Sequence, residues 1–169
     1  MFLDETGANT RMTRLYGRSL KGRRCLAKAP GGHWQTTTFI GALRSQGLVA
    51  PLVLDGPMTG PAFRAWVEQA LVPVLQPNDI VIMDNLRVHK VADVVSTIEA
   101  AGATVRYLPP YSPDYNPIEQ VFAKLKSLLR KEAARTRESL WSAVGNLLNR
   151  FTPMECERYI RHAGYANSG

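Results

Sequence analysis

The 169-residue sequence is poor in cysteine and in long apolar runs, and two of its segments are nearly empty of acid. Its two cysteines, Cys25 and Cys156, lie far apart and in no zinc or redox spacing, which excludes a disulfide framework and a cysteine-ligated metal. A reduced, cytoplasmic setting is the default expectation. No apolar run approaches the ~20 residues of a membrane span. The start, Met1-Phe2-Leu3-Asp4-Glu5, offers neither the basic nor the apolar region of a secretory signal. Repeats, low-complexity tracts and a second domain are also missing. What remains, 45% hydrophobic and 21% charged residues, is the composition of one globular domain rather than a coiled coil or a disordered tail. A chain of this length buries about two thirds of its unfolded surface and needs no covalent staples.

The charge is unevenly placed. Lys and Arg total 21 against 14 Asp and Glu, a net charge of +7 and a pI of about 9.7. Arg11, Arg14, Arg18, Lys21, Arg23, Arg24 and Lys28 follow one another with no acid among them. Lys124, Lys126, Arg130, Lys131, Arg135 and Arg137 form a second cluster opposed by Glu132 alone. Two basic stretches of this kind suit a polyanion, most simply nucleic acid, or a plain solvated surface.

The apolar pattern predicts a mixed α/β order, β–ββ–α–β–α–β–α–α with a short last helix. Phe2-Leu3 reads as a clipped first strand ending at Asp4. Residues 34–43 and 48–54 read as a hairpin around Gly47, with Pro51 placing the second strand at an edge. Thr59-Gly60-Pro61 opens a helix to about Leu75. Ile80-Val81-Ile82-Met83 suits a central strand buried on both faces and ends at Asp84. Lys90–Ala101 reads as a helix and Thr104–Leu108 as a strand. After the rigid Pro109–Pro113 connection, Asn116 at N-cap, Pro117 at N1 and Glu119 at N3 signal a helix start. Helices over about Glu138–Phe151 and Pro153–His162 complete the chain. Trp34, Trp66 and Trp141 read as core.

Three acids fall where α/β folds place chemistry, at strand ends and the helix starts beside them. Asp4 ends the first strand, Asp84 ends the central one, and Glu119 lies in the first turn of the next helix; Glu5 reads as a bystander. If the two strands are neighbours, the acids converge, and converging carboxylates repel unless a cation lies between them. Hard oxygen donors suit Mg²⁺ or Mn²⁺. Two such ions can serve an in-line phosphoryl displacement, and the basic flanks fit a phosphodiester substrate. The plainer alternatives are that Asp84 caps its turn and Glu119 completes a capping box with Asn116.

The residues Asp84-Asn85-Leu86-Arg87-Val88-His89-Lys90 and Leu108-Pro109-Pro110-Tyr111-Ser112-Pro113-Asp114-Tyr115-Asn116-Pro117-Ile118-Glu119 resemble the catalytic core of DDE transposases. The resemblance is greatest to the bacterial insertion-sequence branch of the mariner-like superfamily. Asp4-Glu5-Thr6-Gly7 resembles the family's first-aspartate motif, and the 34 residues between Asp84 and Glu119 match its third-acid spacing. It covers almost the whole chain, from Asp4 to about Tyr165. It implies an RNase H-like fold, with Asp4, Asp84 and Glu119 as the catalytic, metal-binding triad and Mg²⁺ or Mn²⁺, in two ions, as cofactor. The implied activity is DNA strand cleavage at transposon ends and transfer of the freed 3′-OH to target DNA. Asn85, His89 and Asn116 are expected beside the site, with packing on the sheet as the alternative for His89. Arg11, Arg14, Arg18, Lys21, Arg23, Arg24, Lys124, Lys126 and Arg130 are expected to hold DNA.

Such transposases carry N-terminal helix-turn-helix modules, and only three residues precede Asp4. The expectation is a single catalytic domain over residues 1–169, acting near the nucleoid as a homodimer with a helix-turn-helix partner from an upstream frame. The alternatives are a non-catalytic DNA-binding remnant and another RNase H-like nuclease, such as a ribonuclease H or a junction resolvase.

Overall fold

The computed structural model describes residues 1–26, 28, 30–31, 33–91 and 93–165. Its centre is a five-stranded sheet in the order β3-β2-β1-β4-β5. The strands are β1 (Phe2–Asn9), β2 (Thr36–Arg44), β3 (Gly47–Asp55), β4 (Ile80–Met83) and β5 (Thr104–Tyr107). The first three are antiparallel, whereas β1–β4 and β4–β5 are parallel. The β2–β3 hairpin turns at Gly47, whose φ of 146° favours glycine. A register shift between Ile40 and Ala42 marks a bulge opposite Ala50, itself at φ 50°. As expected from Pro51, β3 is an edge strand.

Helices cover both faces. The elements α1 (Gly60–Trp66) and α2 (Val94–Ala100) pack on one side, where Phe63, Trp66 and Ile98 bury Leu3, Ile40, Val81 and Met83. On the other lie α3 (Ile118–Glu132), α4 (Arg137–Leu148) and α5 (Pro153–His162), whose Val121, Phe122, Leu125 and Val144 cover Phe2, Phe39 and Leu43. Phe2 and Leu3 thus enter opposite cores, as strand alternation requires.

The structure departs from the sequence expectations at several points. The first strand is not a clipped stub: β1 has eight residues, and Asp4 is its third rather than its last. Polar Thr6 and Asn9 hide the continuation from a search for apolar runs, yet Thr6 is buried against β2. The helix from Thr59 keeps its N-cap, with Ala62 N–H donating to the Thr59 hydroxyl. It then widens to a π turn over Val67–Leu71 and tightens to a 3₁₀ turn over Val72–Val74, where Pro73 supplies no N–H. Lys90 is not in a helix with Ala101; it ends a separate 3₁₀ turn, Arg87–Lys90, and α2 starts only at Val94 after Asp93 at φ 70°. In β4, Val81 and Met83 are buried but Ile80 is half exposed. Asn116 does not cap α3 with its side chain, which is engaged elsewhere. Among the tryptophans only Trp66 is core; Trp34 and Trp141 reach solvent with Arg11 and Arg137 over their rings.

One ion pair ties the hairpin to the segment entering β4. Arg44 at the end of β2 donates to both Asp79 carboxylate oxygens at 2.9 and 2.5 Å and to Val74 O at 2.9 Å. Burial alone would raise the Asp79 pKa, but the Arg44 guanidinium, its charge and the Gln76 N–H outweigh it and hold it below its ordinary value. A carboxyl depressed on folding adds stability above its unfolded pKa of about 3.9 and loses it as pH falls through the folded value. Asp79→Asn should therefore cost about 2 kcal/mol at pH 7, between surface and fully buried pairs. The loss should fade as urea melts are repeated toward pH 3.

Candidate active site

Strand register brings the first two acids together. Phe2 pairs with Ile82 across the parallel β1–β4 ladder, and Ile82 N–H donates to Met1 O at 2.8 Å. The same register carried two residues further sets Asp4 beside Asp84. Beyond β5, which pairs Tyr107 with Met83, Pro109–Pro113 crosses the sheet ends and delivers α3. Asp4, Asp84 and Glu119 then line one cleft of about 400 Å³, together with Asn85, Lys90, Asn116 and the Pro109–Pro113 wall. Tyr111 stands fully exposed in that wall, its backbone held at φ 55°. All three predicted acids are thus brought together, with Asn85 and Asn116 beside them.

Each acid is held differently. Asp4 is buried; Oδ1 accepts the Glu5 N–H at 2.8 Å and Oδ2 accepts Asn116 Nδ2 at 2.8 Å. Burial, with the charges of Asp84, Glu5 and Glu119, pushes its pKa up to about 7 against the pull of the Glu5 N–H. Asp84 moves the other way. Burial would raise it, but His89 and the Leu86 N–H, which donates to Oδ1 at 3.0 Å, hold it below its ordinary value. Asp84 therefore does close its turn, and the turn-capping reading is compatible with a place in the cleft. Glu119 is exposed in the first turn of α3.

His89 is wholly buried, its ring 4.7 Å from that of Phe63. Nε2 lies 2.7 Å from Glu5 Oε2, and Nδ1 lies 2.6 Å from Asp84 Oδ1 as a charged contact outside hydrogen-bonding geometry. Burial would lower its pKa, but the two carboxylates outweigh burial and raise it to about 10. Glu5 is thus the residue that sequence reasoning passes over. Only its position beside Asp4 hints at it, because its partner lies 84 residues away.

Two groupings of donors differ in their fit to a divalent ion. Asp4, Glu5 and His89 bring one donor atom each within 4.8 Å of one another. Both ring nitrogens of His89 already face a carboxylate oxygen, Glu5 Oε2 at 2.7 Å and Asp84 Oδ1 at 2.6 Å, so this grouping holds an ion only if His89 gives up one of those contacts. Asp4, Asp84 and Glu119 do fit: they are hard oxygen donors, and their crowding, seen in the raised Asp4 pKa, is what a cation relieves.

The basic residues divide. Arg14 meets Arg130 and Lys131 across a groove of about 540 Å³ that also takes in Leu15, Tyr16 and Ser127, so the two clusters join in space. Arg18, Lys21, Arg23 and Arg24 are exposed, and Lys126 is half-buried on α3. Arg11 is exposed but tied to Pro30 O at 3.1 Å. Lys124 is tied up by other groups: its ammonium meets Glu155 at 2.6 Å and Arg150 O at 2.9 Å, over the Phe151 ring.

A family model for DDE superfamily endonucleases matches residues 1–141. The chain belongs to this family. A search of curated proteins finds no match. Among solved structures, the chain is similar to the Mos1 transposase paired-end complex with left transposon end: 17% identity, 96% of this chain, 51% of that chain, TM-score 0.76. It is also similar to the Mos1 mariner paired-end complex with Mn (16%, 96% and 52%, TM-score 0.73). The Mos1 transposase catalytic domain with Raltegravir and Mg gives 17% identity, 96% and 76% coverage and a TM-score of 0.71. These likenesses show the RNase H-like fold. The chain spans about half the length of the transposase chains in those paired-end complexes.

A pH test follows from Asp4. If Asp4 ligates the metal, binding below its pKa of about 7 displaces a proton from it. Mn²⁺ affinity, followed by isothermal titration between pH 5.5 and 8, should fall about tenfold per pH unit below 7. A flat profile would exclude Asp4 as a ligand.

Proposed function

We propose that this domain is the catalytic domain of a transposase, cutting DNA at transposon ends and transferring the freed 3′-OH to target DNA. The observation that carries the reading is the convergence of Asp4, Asp84 and Glu119 in one cleft, with a basic groove elsewhere on the same domain. The three carboxylates hold Mg²⁺ or Mn²⁺, in two ions. When bound, the ions supply an activated nucleophile and a stabilised leaving oxygen for in-line displacement at phosphorus. Asn116 fixes the Asp4 carboxylate by its 2.8 Å hydrogen bond. The buried, paired His89 and the proline wall keep the acids in place, so little reorganisation is left for the reacting complex. Asn85 and Lys90, on the rim, are placed to meet phosphate oxygens.

Arg14, Arg18, Lys21, Arg23, Arg24, Lys126 and Arg130 hold the DNA backbone. Two copies acting on two ends, a helix-turn-helix partner for end recognition and work at the nucleoid complete the proposal. No helix among the described residues is long and apolar enough to cross a membrane.

Two experiments test it. With Mg²⁺ or Mn²⁺ and DNA bearing the element's ends, the chain should nick the ends. Asp84→Asn should slow nicking roughly a thousandfold, about 4 kcal/mol of barrier. Nicking that survives the substitution would refute the triad, and salt-sensitive binding without nicking would favour the DNA-binding remnant. In the second, Arg14→Glu with Arg130→Glu should weaken binding to all sequences alike and reduce the salt slope by about 1 for each phosphate left without its cation. Weakening confined to one sequence would instead make the groove a reader of bases.

A further inference from the structure

Asp4 and Glu5 are neighbours in β1, and their carboxylates engage different partners although their donor atoms lie within 4.8 Å of each other. Asp4 meets Asn116 at the start of α3, and Glu5 meets His89 in the Arg87–Lys90 turn. His89 Nε2 lies 2.7 Å from Glu5 Oε2 and Nδ1 lies 2.6 Å from Asp84 Oδ1. Each ring nitrogen thus already faces a carboxylate oxygen, one on each side of the ring. Burial, the Phe63 ring, the His89 N–H to Leu86 O bond at 3.1 Å and the Tyr107 hydroxyl to His89 O bond at 3.3 Å hold the residue in place, while the two carboxylates fix the tilt of its ring.

On Asp84, the imidazole and the Leu86 N–H both fall on Oδ1. No described residue donates to Oδ2, which remains for the cleft that Asp84 lines. Removing Glu5 would leave a buried ring with one of its two anionic partners, and such a ring is free to tilt or to lose its hold on Asp84.

We infer that Glu5 is a positioning residue: through His89 it fixes the Asp84 carboxylate with Oδ2 toward the cleft, and it does not itself bind metal. The inference rests on the reading of Asp84 as a metal ligand. Groups that orient ligands in this way typically change metal affinity 10–100-fold when removed.

The test is isothermal titration of the 169-residue chain with MnCl₂, with end nicking measured alongside, for Glu5→Ala, Glu5→Gln and Asp84→Asn. Glu5→Ala should weaken Mn²⁺ binding roughly 10–100-fold. Glu5→Gln keeps an oxygen to accept the His89 N–H and should stay within about threefold of wild type. If Glu5→Gln falls as far as Asp84→Asn, Glu5 is a ligand and the inference is overturned. Wild-type affinity in Glu5→Ala overturns it as well. If Asp84→Asn leaves Mn²⁺ affinity unchanged, the ligand reading of Asp84 has failed, a result distinct from either outcome at Glu5. Should Glu5→Ala lose its cooperative melt, Glu5→Met fills the volume without accepting a hydrogen bond and carries the same expectation.

Discussion

Parallel pairing of β1 with β4 is the constraint on which the rest of the site depends. It is a short ladder, with one residue pair in register and the Ile82 N–H to Met1 O bond beside it. It nevertheless decides that two carboxylates 80 positions apart become neighbours. Everything around them answers the resulting repulsion. Asn116 gives up a helix-capping role to hold Asp4, and His89 is buried whole between Glu5 and Asp84. Asp4 keeps a proton to near neutrality. This crowding of carboxylates is what the proposed cation would relieve.

The two cores follow from the same strand. Phe2 enters the layer under α3–α5 and Leu3 the layer under α1 and α2. Two residues later the alternation repeats in polar form, with Asp4 turned to the start of α3 and Glu5 to the Arg87–Lys90 turn. The strand that joins the hydrophobic layers therefore also joins the two halves of the polar site. The hairpin on its other side supports it through the Arg44–Asp79 pair, which anchors the approach to β4.

The positive charge does two jobs. Arg44, Lys124, Arg135 and Arg137 are spent on holding elements together: Arg135 binds Thr10 O and Met12 O, and Arg137 pairs with Asp55. Arg14, Arg130 and Lys131, from the two ends of the sequence pattern, meet at one groove. Charge counting along the chain cannot separate these uses, because whether a lysine faces an acid depends on what packs against its helix. Lys124 and Lys126 stand two positions apart on α3, and only the first meets Glu155.

Local pattern was enough to read the element order, the edge position of β3, the bounds of α5, and Asp84 and Glu119 at a strand end and a helix start, since these rest on apolar spacing, proline and turn chemistry. The motif around Asp84 and Glu119 also carried the family. The length of β1 was not legible, because its second half is polar and buried by β2 rather than marked by hydrophobicity. The irregular end of the first helix and the late start of α2 depend on Pro73 and on the Arg87–Lys90 turn packing against Phe63. The side-chain roles of Glu5 and Asn116 are not legible locally, because a bystander beside Asp4 and a helix cap are sufficient local readings, although the place of Asn116 beside the site is legible. Their actual partners lie 84 and 112 residues away. The sequence by itself determined which residues could do chemistry and on which elements they stand. Only the tertiary structure decided which carboxylates meet, which histidine is locked between them and which cations stay free, because burial and charge pairing arise between elements that only folding brings together.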